Sequence, residues 1–224
     1  MFRDKELIIF DMDGTLIDSA PSLAFAVNYM LKELNLDELS EDRIRSFIGN
    51  GADVLVKRAL VNKNDYSEKE IDEEYFKRAK EIFLDYYGKN LNAKTTLYPD
   101  VIETLDELKS KSYKLAVATN KPIEFVGDML KHFKIDTFFD IYLGGGSVEF
   151  KKPHPQILYT ICDKLKCSNQ KAVMVGDSSN DILAAKRANI DSIALTYGYN
   201  QGVNLKELEP NVICDSFGKI KEYF

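Results

Sequence analysis

Histidine and cysteine are scarce in this chain. His132 and His154 are its only histidines, which argues against a histidine-based catalytic or metal centre. Cys162, Cys167 and Cys214 are odd in number and lack metal-ligand spacing, so neither a disulfide framework nor a thiolate metal site is expected. Reduced thiols in a cytoplasm fit better, and Cys214, at the end of Val212-Ile213, reads as a small core residue. No apolar run approaches the roughly 18 residues of a membrane span. The segment Met1-Phe2-Arg3-Asp4-Lys5-Glu6 lacks the charged-then-apolar layout of a signal peptide. Positive charge is also short. The net charge is −6 and the pI near 5.1, which excludes a nucleic-acid binder driven by bulk electrostatics. A small anionic substrate stays allowed, because a metal and one lysine can reverse the local field. There is no internal repeat or low-complexity segment. What is present, 45% hydrophobic and 29% charged residues over 224 positions, suits one soluble core or a core plus a small accessory domain.

Against that background the acids stand out by position. Asp11-Met12-Asp13-Gly14-Thr15-Leu16 follows the apolar run Leu7-Ile8-Ile9-Phe10, so two carboxylates fall at the tip of an expected buried strand, with Gly14 as the break. An unpaired carboxylate at a buried edge costs several kcal/mol or takes up a proton. The pair therefore faces either a cleft holding cations or, in the blander reading, solvent. A second cluster, Gly176-Asp177-Ser178-Ser179-Asn180-Asp181, follows the strand candidate Ala172-Val173-Met174-Val175 and precedes the helical spacing of Ile182, Leu183, Ala185 and Ala188. Between the clusters lie Ala116-Val117-Ala118-Thr119-Asn120-Lys121, a third strand with a polar tip, and Lys151-Lys152-Pro153-His154-Pro155.

After the first strand, helical spacing dominates for some 80 residues. Leu23, Val27, Met30 and Leu34 recur on one face, as do Ile44, Phe47 and Ile48. Ser67 and Glu70 read as a capping box opening a long helix through Tyr86, with Gly88 as its stop. From Pro99 onward strands and helices alternate, the pattern of a parallel sheet with right-handed crossovers. The expected strands are 114–119, 141–143, 173–175 and 192–195; the helices are 101–111, 123–133, 155–166 and 181–188. A helical insert thus splits an α/β core in sequence.

The ordered set of D-x-D-G-T at 11–15, the hydroxyl of Thr119, Lys152 and G-D-x-x-x-D at 176–181 resembles the haloacid dehalogenase superfamily. That resemblance implies a Rossmann-like parallel sheet of order 5-4-1-2-3, with a core of residues 1–17 and 92–224 and a helical cap of residues 18–91 inserted after the first strand. A reversal of strand order beside the first strand opens a crevice where ligands of open sheets bind. It also implies Mg²⁺ held by the Asp11 carboxylate, the Asp13 backbone carbonyl and the Asp177 carboxylate, with Asp181 acting through a water or by orienting Lys152. Asp181 equally suits a helix first turn, where the dipole favours an acid. By the same likeness Asp11 is the nucleophile, Asp13 the general acid and base, Thr119 and the Asn120 amide hold phosphoryl oxygens, and Lys152 neutralises charge. Retention of both Asp11 and Asp13 selects phosphate-ester chemistry over dehalogenation and phosphonate cleavage.

Four longer stretches, at 48–55, 118–122, 151–155 and 195–200, are similar to bacterial phosphoglycolate phosphatases. Gln156 departs from that family, which commonly has Asp there. The likeness implies hydrolysis of 2-phosphoglycolate to glycolate and phosphate in the cytoplasm, without nucleic-acid or membrane partners. A broad sugar-phosphate phosphatase, a β-phosphoglucomutase-like phosphomutase and a phosphate-sensing scaffold are the alternatives. From the residues themselves, Gly49-Asn50-Gly51 before the helical spacing of Val54, Leu55 and Ala59 offers bare amides to an anion, here a substrate carboxylate, aided by Arg43. The same glycines could simply make a tight turn. Lys57 and Arg58 read as a solvated helix face, His154 as a backbone-bonded loop residue, and Tyr197 and Tyr199 either line the pocket or pack beneath the insert.

Overall fold

In a computed structural model describing residues 1–224, the strand β1 (Leu7–Phe10) is fully buried on both faces. Its unbroken apolar sequence explains why it can occupy the centre of a parallel sheet. Leu7 pairs with Lys114 of β4 (Lys114–Pro122) on one side and with Ala172 of β6 (Ala172–Gly176) on the other. Beyond β4 lies β5 (Ile141–Gly145), and beyond β6 come β7 (Asp191–Leu195) and β8 (Val212–Cys214). The sheet runs β5-β4-β1-β6-β7-β8, parallel throughout. The sixth strand holds Cys214, which sequence alone suggested only as a core residue. A run of three residues is too short to signal a strand by periodicity.

Period-two alternation divides β1 between two apolar layers. Ile8 and Phe10 join Leu105 of α5 (Val101–Ser110), Met129 of α6 (Ile123–His132) and Phe217 near the C-terminus. Leu7 and Ile9 join Leu158 of α7 (Gln156–Lys164) and Ala185 of α8 (Ser179–Ala188). Helices therefore cover both faces, and the β1 and β6 carboxyl ends open side by side.

Residues between β1 and α5 build four helices: α1 (Ala20–Glu33), α2 (Glu41–Arg45), α3 (Ala52–Val61) and α4 (Glu73–Lys89). Chain entry and exit are clasped by a two-residue antiparallel ribbon, β2 (Ile17–Asp18) against β3 (Thr96–Leu97), too brief to be read from sequence. Phe76, Ala79, Phe83 and Tyr87 give α4 its buried stripe, and its Tyr86 stacks on Tyr29 of α1 at 4.1 Å. The Ser67–Glu70 capping box opens only a short 3-10 turn. Ile71 is extended (φ −124°, ψ 119°), and α4 starts afresh under the Asp72 cap. Gly88 does not stop α4. A Cβ there would come 3.3 Å from the Phe125 ring, so the missing side chain admits α6 instead. No helix is long and apolar enough to cross a membrane.

Candidate active site

Asp11 continues the β1 ladder, its amide donating to the Val175 carbonyl at 2.9 Å, and the chain then turns at Gly14 (φ +89°). Asp177 stands at the adjacent β6 end, 1% exposed. It accepts from Thr15 Oγ1 at 2.7 Å and from the Tyr199 amide at 2.5 Å. A Cβ on either Gly14 or Gly198 would run into this carboxylate, so both positions must be bare for Asp177 to sit there. Asp181 is wholly buried in the first turn of α8. One of its oxygens accepts from the Ser178 amide and hydroxyl at 3.0 and 2.7 Å, the other from Lys152 Nζ at 2.6 Å. The ammonium held on one of these oxygens favours the orienting role over direct ligation. Lys152 Nζ also donates to the Ala118 carbonyl at 2.6 Å.

Ligand oxygens of Asp11, Asp177 and Asp181 all lie within 4.8 Å of one another. These three acids face a single lysine, Lys152, so ionisation of all of them would leave negative charge uncompensated. Lys152 Nζ pairs with Asp11 Oδ1 at 3.0 Å, and no other protein group donates to that buried oxygen. Hard oxygen ligands from three clustered acids that share one ammonium together fit a divalent cation. Without one, burial pushes the Asp11 carboxyl up to about 7, Lys152 opposing and Asp181 reinforcing the rise. Burial, then Asp181 and Asp11, likewise hold Asp177 well above the usual carboxylate range. Burial works against the Lys152 ammonium, yet Asp11 and Asp181 keep its pKa above the ordinary lysine value.

The Asp13 carboxylate lies apart from this cluster. It accepts from Ser19 Oγ at 2.6 Å and pairs with Lys121 Nζ at 3.1 and 3.3 Å. Lys121 in turn donates to the Tyr87 hydroxyl of α4 at 2.5 Å. Neither Lys121, at the polar end of its strand, nor Tyr87 is marked by the sequence as part of a site. The only available signal for Tyr87 was its i+4 spacing from Phe83 on the buried stripe. Thr119 is buried at the β4 tip, its Oγ1 accepting from the Lys121 amide at 3.2 Å. The Asn120 side chain ties loops together, bonding both the Lys152 amide and carbonyl at 2.9 Å and the Gly49 carbonyl at 3.0 Å.

A pocket opens between the strand tips and the insert. Asp11, Asp13, Thr119, Asn120 and Lys121 form its polar end, while Gly49, Gly51 and Ala52 close it from the insert. Gly49 (φ +123°) and Gly51 (φ +84°) need their positive φ, and a Cβ at Gly51 would crowd the Asn120 carbonyl. Asn180 Nδ2 also donates to the Gly49 carbonyl at 3.1 Å, and Gln201 Nε2 donates to the Ile48 carbonyl. The insert is therefore pinned through amide side chains that sequence reasoning missed.

Arg43 is not in this pocket. Its guanidinium bonds the Asn62 carbonyl and side chain and Asn64 Oδ1 at 2.6–2.8 Å and lies 4.6 Å from the Phe47 ring centroid, clamping α2 to the end of α3. Arg58 is not simply solvated either: it donates to the Phe47 carbonyl at 2.9 Å and the Asn64 carbonyl at 2.8 Å. Lys57 pairs with Glu68 at 2.6 Å, and His154 Nδ1 accepts from the Gln156 amide at 3.3 Å. Tyr199 packs under the insert, its hydroxyl accepting from the Ser19 and Ala20 amides at 2.9 and 3.0 Å and donating to Asp18 at 2.5 Å.

Paired strand-tip acids, a buried lysine and an enclosing helical insert define an enzyme site at the carboxyl edge of an α/β sheet. The family model described as haloacid dehalogenase-like hydrolase matches residues 8–195, and the chain belongs to that family. It is an enzyme of the phosphoric monoester hydrolase class. A phosphoglycolate phosphatase of Psychrobacter arcticus is 46% identical over 220 residues, covering 98% of this chain and 96% of the relative. One of Colwellia psychrerythraea is 45% identical, covering 97% and 96%. The crystal structure of a predicted phosphoglycolate phosphatase from Haemophilus somnus superposes with a TM-score of 0.92 at 44% identity, covering 98% of both chains.

Proposed function

We propose that the protein hydrolyses 2-phosphoglycolate to glycolate and phosphate through an aspartyl-phosphate on Asp11, with Mg²⁺ as cofactor. The carrying observation is the cluster of three acids, Asp11, Asp177 and Asp181, that share one buried lysine. Whole-length likeness to phosphoglycolate phosphatases supports the substrate. Asp11 and Asp177 would hold the metal by their carboxylates and Asp13 by its carbonyl, while Asp181 orients Lys152. When bound, a divalent cation supplies positive charge to the phosphoryl oxygens and the nucleophile.

The chain's own residues do the rest. An Asp11 oxygen attacks phosphorus, the bond from phosphorus to the glycolate oxygen breaks, and Asp13 gives that oxygen a proton. Water then attacks the acyl phosphate, Asp13 takes a proton back, and phosphate leaves with the Asp11 carboxylate restored. Such proton transfer is worth about 10²–10⁴ in rate. Thr119 and Asn120 hold phosphoryl oxygens, and Lys152 offsets the charge on Asp11. Residues 18–91 act as a cap over a core of 1–17 and 92–224, with Gly49 and Gly51 presenting the start of α3 to the bound ester and excluding bulk water. All three cysteines are free, which suits a reducing cytoplasm.

The test is phosphate release from 2-phosphoglycolate with Mg²⁺ present. Asp11→Asn is expected to abolish turnover and acid-stable labelling of the protein while leaving its circular dichroism unchanged. Near-normal turnover in that variant would refute the nucleophile.

A further inference from the structure

One lysine lines the pocket and the insert holds it there, while the ammonium of Lys151 reaches only the rim, 3.2 Å from where a Cβ on Gly51 would sit. Among the lining residues Lys121 alone carries positive charge. Its side chain is 2% exposed, shared between the Asp13 carboxylate and the Tyr87 hydroxyl, with Nζ 4.7 Å from the Tyr87 ring centroid. Tyr87 is neutral, so Asp13 is the only anion that claims this ammonium. The pocket's far wall is apolar, formed by Leu23, Leu55, Phe83 and Phe125. It offers no partner to a chain of hydroxyls, which would lose their water on entry.

We infer that Lys121, fixed by Tyr87, is the specificity-determining residue that receives the carboxylate of a short phosphorylated hydroxy acid, while the apolar wall turns sugar phosphates away. The inference rests on the reading of the site given above, in which Asp13 protonates the leaving oxygen. In 2-phosphoglycolate the carboxylate is attached to the carbon bearing that oxygen. The cation that touches Asp13 is therefore the one nearest the carboxylate. Arg43, committed to Asn62 and Asn64, cannot serve.

The experiment compares kcat/KM for 2-phosphoglycolate with that for ethyl phosphate, which has the same two-carbon ester and no carboxylate. The unmodified protein is expected to prefer 2-phosphoglycolate. Lys121→Met should cut that preference about 10–100-fold, the worth of a hydrogen bond to a charged group. Tyr87→Phe should cut it less, through KM. Any damage to Asp13 falls on both esters and cancels in the ratio. Should Lys121→Met lower both substrates equally, Lys121 only positions Asp13 and the inference is overturned. Retention of the preference in both variants overturns it too, while the substrate reading stands. Absence of a preference in the unmodified protein overturns the substrate reading itself and the inference with it. If Lys121→Met does not fold, Lys121→Gln and Tyr87→Phe decide by the same ratio.

Discussion

Chelation of the divalent ion should make protons take its place. Asp11, pushed up to about 7 by burial, and Asp177, raised for the same reason, must both shed protons before a cation can bind. With a pKa of about 7, the ionised fraction of Asp11 grows about tenfold from pH 6 to pH 8. Apparent affinity for Mg²⁺ should therefore rise at least about tenfold over that interval, Asp177 adding to the slope. Stability of the metal-free protein should move the other way. A carboxyl whose folded pKa exceeds its unfolded value contributes stability that is full below the unfolded pKa and lost as pH rises through the folded one. For Asp11 that window runs from 3.8 to about 7. Roughly three units at ~1.4 kcal/mol each set a ceiling of about 4 kcal/mol. Calorimetric titration of Mg²⁺ at pH 6, 7 and 8, in buffers of different ionisation enthalpy, reads both affinity and protons released. Melting in chelator from pH 5 to pH 8 reads the stability. An affinity flat with pH, with no proton released, would refute the reasoning.

Two other substitutions probe the same crevice. Lys152→Met takes the only cation from Asp11 and Asp181 and should cost about 3–5 kcal/mol in urea unfolding at pH 8 without metal. Part of that loss should return at pH 5, where Asp11 is protonated; equal loss at both pH values would speak against the ion-pair account. Gly198→Ala would drive a methyl into both the Asp177 carboxylate and the Gly14 carbonyl. It should weaken Mg²⁺ binding about 10–100-fold in the same calorimetric titration while the fold persists, and unchanged affinity would show that Asp177 tolerates displacement.

Sequence conveyed the α/β alternation and the acids at strand tips because both depend on local patterns: apolar runs of strand length, helical spacing and a glycine break. It did not convey what the long side chains choose. Arg43 had two alternatives, the open start of α3 or the amides of Asn62 and Asn64, and only packing decides between them. Lys121 sat in full view beside Thr119, but its partner Tyr87 lies 34 residues away on the insert, and no spacing links them. The capping box at Ser67 was chemically correct and formed. What it could not reveal was that extended Ile71 would make α4 start again. Gly88 failed as a stop signal for a tertiary reason, the approach of Phe125.

The placement of β1 has a consequence for the protein's birth. Its two neighbours, β4 and β6, come more than a hundred residues later in the chain. At typical ribosomal speeds of 5–20 residues per second, Leu7-Ile8-Ile9-Phe10 waits ~5–20 s for even its first partner to be made. During that time the most apolar tetrapeptide near the N-terminus has no sheet to join, and only the helices of the insert can begin to pack. The nascent chain thus carries an unmatched sticky strand for about half of its synthesis, which is the stage at which a chaperone would find the most to hold.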